Sequence, residues 1–543
     1  MKNRFFLRCV LLLICAAFAL VNAAFANQQT ADNFENGFII LPHAKNGEIK
    51  ITRAQISLLG ACNPGFPLYI NGEEMPTTVS GYFSVYVELQ VGDNVFVLEN
   101  GEISTELVVT RETPKPFTPT PVVYFEEPLY GKAASNNISR FYDGNDDTKM
   151  GTPLAKDTNF RIIAEDSDNE MYIIHDGSYV FKSNVTLVKA GEFAAENRLY
   201  SVELQEESAE ITFHNFDGTD ESFSIPYEGE QPVAGYFAEF SQGELAVTLR
   251  YAPSVLENAV VLIDAGHGGS DPGALGPPGE FGLMEKDLNL QVARKTAEYL
   301  ESHGVTVISL ALDDETFWAV DRVEHIYESL LSGEFADLSV SIHANSMPMG
   351  SDFTRENGPL MFYTMGSSES AANIILENVS QRVSGVSPHE FKAAINRNFA
   401  LARYTPSPSM LFEMGFVCNP HEYEILITDG YLDLMGEALG EGIVKYLLIN
   451  AQTASENGEN PSETEAAATT VSGVSESTTE NSATSEMSEI FENDEIAGIT
   501  AINANRSTIQ VGDVAGAVSV GFITLYFIYG YIKQRKSKKA KKF

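Results

Sequence analysis

Four polar residues of this 543-residue chain stand where packing alone would not put them. His267 follows the apolar run Val260-Val261-Leu262-Ile263, inside Asp264-Ala265-Gly266-His267-Gly268-Gly269, where the glycines let the backbone turn sharply and present an imidazole. Glu285 stands at the head of a stretch of helical period at 287–303. His343 lies near the end of Ser339-Val340-Ser341-Ile342-His343-Ala344-Asn345, where strand alternation puts Ser341, His343 and Asn345 on one side. Glu413 ends the apolar run Met410-Leu411-Phe412. Two histidines and a glutamate are a ligand set of catalytic zinc sites, in which a fourth position stays open to water. Such a metal lowers the pKa of its water to about 7, and a second carboxylate nearby can take the proton. Glu413 is the natural general base, and the expected chemistry is metal-assisted hydrolysis of an amide or ester.

These residues need a scaffold that gathers them. Apolar strand-like runs at 260–263, 305–310, 338–343, 360–363 and 410–413 alternate with helical periods at 287–303, 318–331, 371–383 and 432–448. That rhythm predicts an α/β domain over 257–450 with a central, mostly parallel sheet. Ligands of open α/β sheets bind outside the carboxyl ends of the strands. Three of the four residues fall at such ends and the fourth opens the next helix, so they can meet.

The remaining polar candidates carry less. Asp271 reads equally as an acceptor that orients a ligand histidine or as an Asp-Pro turn. Asn345 shares the face of His343. His303, His325, His389 and His421 read as surface or turn residues, with His421 close enough to Glu413 in sequence to reach substrate. The glycine-rich loop 266–269 lacks the Gly-Lys-Ser/Thr ending of a phosphate-binding loop.

Taken together, Gly266-His267-Gly268-Gly269 with Asp271-Pro272-Gly273-Ala274, Glu285-Lys286-Asp287-Leu288-Asn289-Leu290, Ser341-Ile342-His343-Ala344-Asn345 and Leu411-Phe412-Glu413-Met414-Gly415-Phe416, followed by Asn419-Pro420, resemble the ordered signatures of the zinc-dependent N-acetylmuramoyl-L-alanine amidases. The resemblance covers 258–450. It implies one zinc ion held by His267, Glu285 and His343, with Glu413 as the catalytic glutamate. It also implies peptidoglycan as substrate, cleaved between the lactyl group of N-acetylmuramic acid and the L-alanine of the stem peptide. Where the family carries Thr-Arg-x-x-Asp, this chain has Ser309-Leu310-Ala311-Leu312-Asp313-Asp314, although the downstream Arg322 matches. The missing arginine bears on loop packing or a substrate contact. Two other readings compete: a wall-binding scaffold with a silent amidase fold, and a zinc hydrolase of another amide. All four site residues are present, which speaks against the first.

The rest of the chain reads as delivery and support. Residues 1–26 combine Lys2, Arg4 and Arg8 with an apolar run and Ala24-Phe25-Ala26, the layout of a signal peptide cleaved after Ala26. Residues 27–112 resemble an immunoglobulin-like β-sandwich, 113–121 form a proline-rich linker, 122–195 resemble a bacterial Src-homology-3-like barrel, and 196–256 are β-rich. These modules are expected to place the enzyme on the wall or to restrain it. Residues 451–512 are expected to be a disordered acidic stalk. Residues 513–532 read as a single transmembrane helix and 533–543 as a basic cytoplasmic tail, giving an exported, membrane-tethered protein. No Leu-Pro-x-Thr-Gly sorting signal precedes the apolar segment. Cys62 and Cys418, the cysteines outside the signal peptide, are too few for a disulfide framework. The net charge of −40 includes ten basic residues confined to the two ends, leaving 25 basic against 75 acidic residues between them. That balance argues against a nucleic-acid partner.

Overall fold

The computed structural model describes residues 39–41, 49–456 and 468–471, apart from short stretches at 115–117, 194–195, 228–231, 242, 254, 277–282, 332–334, 349 and 405. The signal peptide, the transmembrane helix and the basic tail read from the sequence lie outside the described residues. Among the described residues, no helix is long and apolar enough to cross a membrane.

The N-terminal part is built of strands. Strands β1 (Gln55–Ala61) and β2 (Tyr82–Glu88) pair antiparallel and, with Ile39–Leu41, form a three-stranded sheet. It faces a five-stranded sheet made by Ile49–Ile51, Ile103–Arg111, Gly92–Asn100, Leu68–Ile70 and Glu73–Met75. Ile56, Leu58 and Phe83 from the first sheet meet Leu68, Leu98 and Val109 from the second in one buried core. Next comes a five-stranded antiparallel sheet, in which Val123–Ala133 lies between Asn159–Asp166 and Val185–Val188. A third β unit follows, with Leu199–Leu204, Ser208–His214 and Asp220–Pro226 in one sheet and Val233–Ser241 beside β3 (Glu244–Tyr251) in another. Alternating residues of both sheets, among them Val202, Ile211, Val247 and Leu249, share its core.

A fully buried arginine joins the second and third units. Arg140 Nη1 donates to Asp176 (2.7 Å), while Nη2 donates to the Tyr200 carbonyl (3.2 Å) and to Ser201 Oγ (2.8 Å). Ser201 Oγ lies 2.7 Å from His214 Nε2, and His214 Nδ1 lies 3.0 Å from Asp220.

From Val260 onward the chain alternates strand and helix: β4 (Val260–Ala265), α1 (Glu285–Ser302), β5 (Thr306–Leu310), α2 (Ala319–Leu331), β6 (Leu338–Asn345), β7 (Leu360–Tyr363), α3 (Glu369–Val383), β8 (Ile395–Asn396), β9 (Ser409–Phe416), α4 (Pro420–Leu426) and α5 (Tyr431–Glu456). The sheet order is β5-β4-β6-β9-β7-β8. Every pair is parallel except β7 with β9. Val261, Ile263, Val340, Ile342 and Phe412 are fully or almost fully buried against helical residues such as Val292, Ile375 and Leu439, as expected of strands covered by helices.

The stalk expectation needs correction at its start. Helix α5 runs on to Glu456, because Ala451, Gln452 and Ala454 are good helix formers that extend the last turns. Farther on, β10 (Ala468–Val471) pairs antiparallel with Leu245–Thr248 of β3. The outer edge of β3 offers unpaired main-chain groups, and the β-branched Thr469, Thr470 and Val471 suit a strand.

Candidate metal centre

The site forms at the carboxyl ends of β4, β6 and β9. His267 sits just past β4 with φ +64°, a left-handed conformation uncommon outside glycine and frequent at functional sites. Its backbone is pinned from below. Buried Arg322 donates to Asp264 Oδ1, to the Ala265 carbonyl (2.7 Å) and to the His267 carbonyl (2.6 Å). Ser341 Oγ donates to the other oxygen of Asp264 at 2.6 Å. Asp271 Oδ2 lies 2.9 Å from His267 Nδ1, which fixes the ring and turns Nε2 inward.

Glu285 is the first residue of α1, where a carboxylate also suits the helix dipole. It is only 5% exposed, yet both of its oxygens are occupied. Oε2 accepts from the Ala274 N–H (2.7 Å), and Oε1 accepts from the Ala344 N–H (3.2 Å) and lies 2.9 Å from His343 Nδ1 and 3.2 Å from His267 Nε2. The histidine rings meet edge to face with centroids 5.0 Å apart. Such crowding needs glycines: a Cβ on Gly266 would collide with the His343 ring, and Gly273, at φ +67°, lies against Glu285 and His267.

One donor atom from each of His267, Glu285 and His343 lies within 4.8 Å of the other two. Burial lowers the His267 pKa, but the hydrogen bonds and charges of Asp271 and Glu285 outweigh it and carry the imidazole up to about 10. Burial likewise opposes ionisation of Glu285, yet the two histidines hold it well below the usual carboxylate range. Asp271 and Glu285 thus favour positive charge around His267, as a cation site should.

Glu413 is placed by register. It is the Cα partner of His343 across the parallel β6–β9 pair. Its Oε2 is buried without a hydrogen-bond partner. Burial, and then the charge of Glu285, push its carboxyl well above the ordinary value. An orphaned carboxyl oxygen beside two imidazoles and a carboxylate fits a divalent metal and the water it would bring.

The other sequence candidates separate. Asp271 and Arg322 join the site as supports. Asn345 lies one alternation beyond His343, and its carbonyl accepts the Val417 N–H (2.9 Å). His421 lies in the first turn of α4, its main-chain N–H capped by Asn419 Oδ1 (3.0 Å), and is not one of the three clustered donors.

Sequence reasoning missed two supports. Asn289 Nδ2 donates to the Gly266 carbonyl (3.0 Å) and reaches Glu285 Oε1 (3.4 Å); its signal was the spacing of one helical turn from Glu285. Asp314 accepts from the Gly269 N–H (2.8 Å) and from Lys286 Nζ (3.1 Å), clasping the loop that carries His267. It closes the run Ser309–Asp314 that lacks the family's arginine and keeps acidic residues at its end.

Comparison with known proteins adds a second line. The N-acetylmuramoyl-L-alanine amidase family model matches residues 261–445. The uncharacterized protein YqiI of Bacillus subtilis is 31% identical over 205 residues, covering 37% of this chain and 93% of its own length. The germination-specific N-acetylmuramoyl-L-alanine amidase of Bacillus subtilis is 28% identical over 202 residues, covering 35% and 81%. Among solved structures, AmiC2 of Nostoc punctiforme matches at 30% identity over 35% of this chain and 97% of its own, with a TM-score of 0.31.

Proposed function

Because the chain belongs to the N-acetylmuramoyl-L-alanine amidase family, we propose that it is a zinc-dependent amidase that cleaves peptidoglycan between N-acetylmuramic acid and the L-alanine of the stem peptide. The observation that carries this reading is the convergence of His267, Glu285 and His343 beside the unpartnered, buried Oε2 of Glu413. Zinc held by those three donors would supply Lewis acidity and a positive charge that offsets Glu285. Glu413, whose ionisation burial and the Glu285 charge both oppose, would take a proton at Oε2 from the attacking water. It then returns the proton to the departing amine nitrogen of L-alanine. Asp271 keeps Nε2 of His267 turned inward, and Arg322, Asp314 and Asn289 hold the loop and helix that bring the donors together.

The test is digestion of purified sacculi with the full chain and with Glu413→Ala, followed by mass spectrometry of the new ends. Stem peptides with free L-alanine amino termini, released by the wild type alone, are the expected result. Cleavage at another bond, or equal release by the variant, overturns the reading. We further propose that the protein is exported and membrane-tethered. The charge and apolar patterns of 1–26 and 513–543 support this, and cell fractionation tests it.

A further inference from the structure

The N-terminal sandwich grips the catalytic domain on both flanks of the metal centre. On one flank, the Ser80 N–H and Oγ each donate to the Glu424 carboxylate at 2.9 Å. Two residues on, the Tyr82 ring meets the Tyr423 ring edge to face, centroids 4.8 Å apart. Tyr423 in turn accepts the Leu283 N–H at its hydroxyl (3.1 Å) and lies so close to Gly276 that a Cβ there would collide with its ring. Gly276 and Leu283 are bonded to each other (Gly276 N–H to the Leu283 carbonyl, 3.2 Å), and Leu275 bridges Met284. These residues form a short stem that runs straight into Glu285, whose own N–H donates to the Ala274 carbonyl (2.9 Å).

On the other flank, Ser57 Oγ donates to the Ser351 carbonyl (2.6 Å) and accepts the Phe353 N–H (3.3 Å), and the Tyr86 hydroxyl donates to the Gly350 carbonyl (3.0 Å). Leu59 packs with Phe353, Leu360, Phe416 and Cys418. This segment follows the strand that carries His343. Strands β1 and β2 therefore hold the chain leading into one donor and the chain leaving another.

We propose that the sandwich is a positioning element for the metal centre: Tyr82, through Tyr423 and the Leu283 main chain, and Ser80, through Glu424, hold Glu285 in ligand geometry. This rests on the metal reading of His267, Glu285 and His343. Metal affinity then depends on residues some 200 positions upstream, outside the stretch matched to the amidase family.

The experiment uses the full chain, with zinc affinity measured by chelator competition and donor geometry read from the visible spectrum of the cobalt-substituted protein. Tyr82→Ala and Tyr423→Phe are each expected to weaken zinc affinity by about 10-fold. The same variants shift the cobalt bands and lower kcat about 10-fold with KM nearly constant. Tyr82→Phe, which keeps the ring edge but loses the hydroxyl that hydrogen-bonds Tyr423, falls between wild type and Tyr82→Ala. The double variant Tyr82→Ala/Tyr423→Phe loses no more than the larger single variant, because both cut one relay. Wild-type affinity and spectrum in both single variants, with only a lowered Tm, overturn the proposal. So does full additivity in the double variant. Glu285→Ala separates the premise: if it binds zinc as tightly as wild type, the metal reading itself fails.

Discussion

Two buried polar networks in this molecule handle charge in opposite ways. Around Arg140 the chain brings its own cation. Burial opposes the ionisation of Asp176, yet Arg140 and Ser178 hold it below the usual carboxylate range, and the guanidinium also bonds Tyr200 and Ser201. The Ser201, His214 and Asp220 contacts follow the order of a nucleophile relay, but Arg140 engages the Ser201 oxygen and ties the string into the packing. Around His267, Glu285 and His343 the donor atoms converge and a cation is wanted, while Glu413 keeps an oxygen free. Both networks leave one buried atom unpartnered, Arg140 Nε in the first and Glu413 Oε2 in the second, so what separates them is charge: the first carries its own cation, whereas the second gathers donors around a point where a cation is missing.

The comparison breaks most visibly on metal removal. Stripping divalent metal with a chelator is expected to abolish hydrolysis of sacculi, with zinc restoring it, and to leave the near-ultraviolet circular dichroism of the β units unchanged. Loss of that signal together with activity would erase the distinction. Next in size is Arg140→Met. It removes the counter-charge of buried Asp176, which keeps only its hydrogen bonds from Ser178, and should cost about 3 kcal/mol of stability, while zinc affinity stays at the wild-type value; denaturant melts and chelator competition report the two sides.

A smaller effect is expected at Asp271. Asp271→Asn keeps an acceptor near His267 Nδ1 but removes its charge, and should weaken zinc affinity by roughly 10-fold with little change in Tm. The smallest concerns a second buried carboxylate of the catalytic domain. Glu422 accepts the Gly358 N–H (2.6 Å) and the Phe416 N–H (2.8 Å), but burial outweighs those bonds and raises its pKa to about 7. A raised folded-state value means that the proton-linked stability is full below about 4.5 and is lost as pH rises through about 7. The Tm advantage of wild type over Glu422→Gln should therefore narrow by a few degrees across that window. A pH-independent difference would show that the main-chain bonds keep Glu422 ionised throughout.

The clustering of the candidate residues was legible in the sequence because residue type and position carried it. His267 after a strand and among glycines, Glu285 at a helix start, and His343 and Glu413 at strand ends each announced themselves locally. The alternation of strand and helix after Val260 was equally local, and helix α1 begins only two residues before its predicted start. What escaped was non-local. Tyr82 and Tyr423 are separated by most of the chain, and no period or composition in either segment says that their rings meet. The strand at Ala468–Val471 escaped for the same reason: its surroundings are acidic and polar, and only the open edge of β3 makes it a strand. Asp314 stood only as the last residue of a run noted for a missing arginine, and its bonds to Gly269 and Lys286 are likewise non-local.

The register of β6 against β9 carries a further consequence, for the order of events during folding. His343 and Glu413 become neighbours through a parallel ladder that joins positions 70 residues apart in the chain. Parallel pairing across such a separation cannot nucleate locally and forms late, after the loop-closure entropy has been overcome. A one-residue slip would turn Glu413 to the other face of the sheet. A partly folded chain therefore holds its histidines and its glutamate but no assembled pair, and the two come together only when this non-local ladder closes.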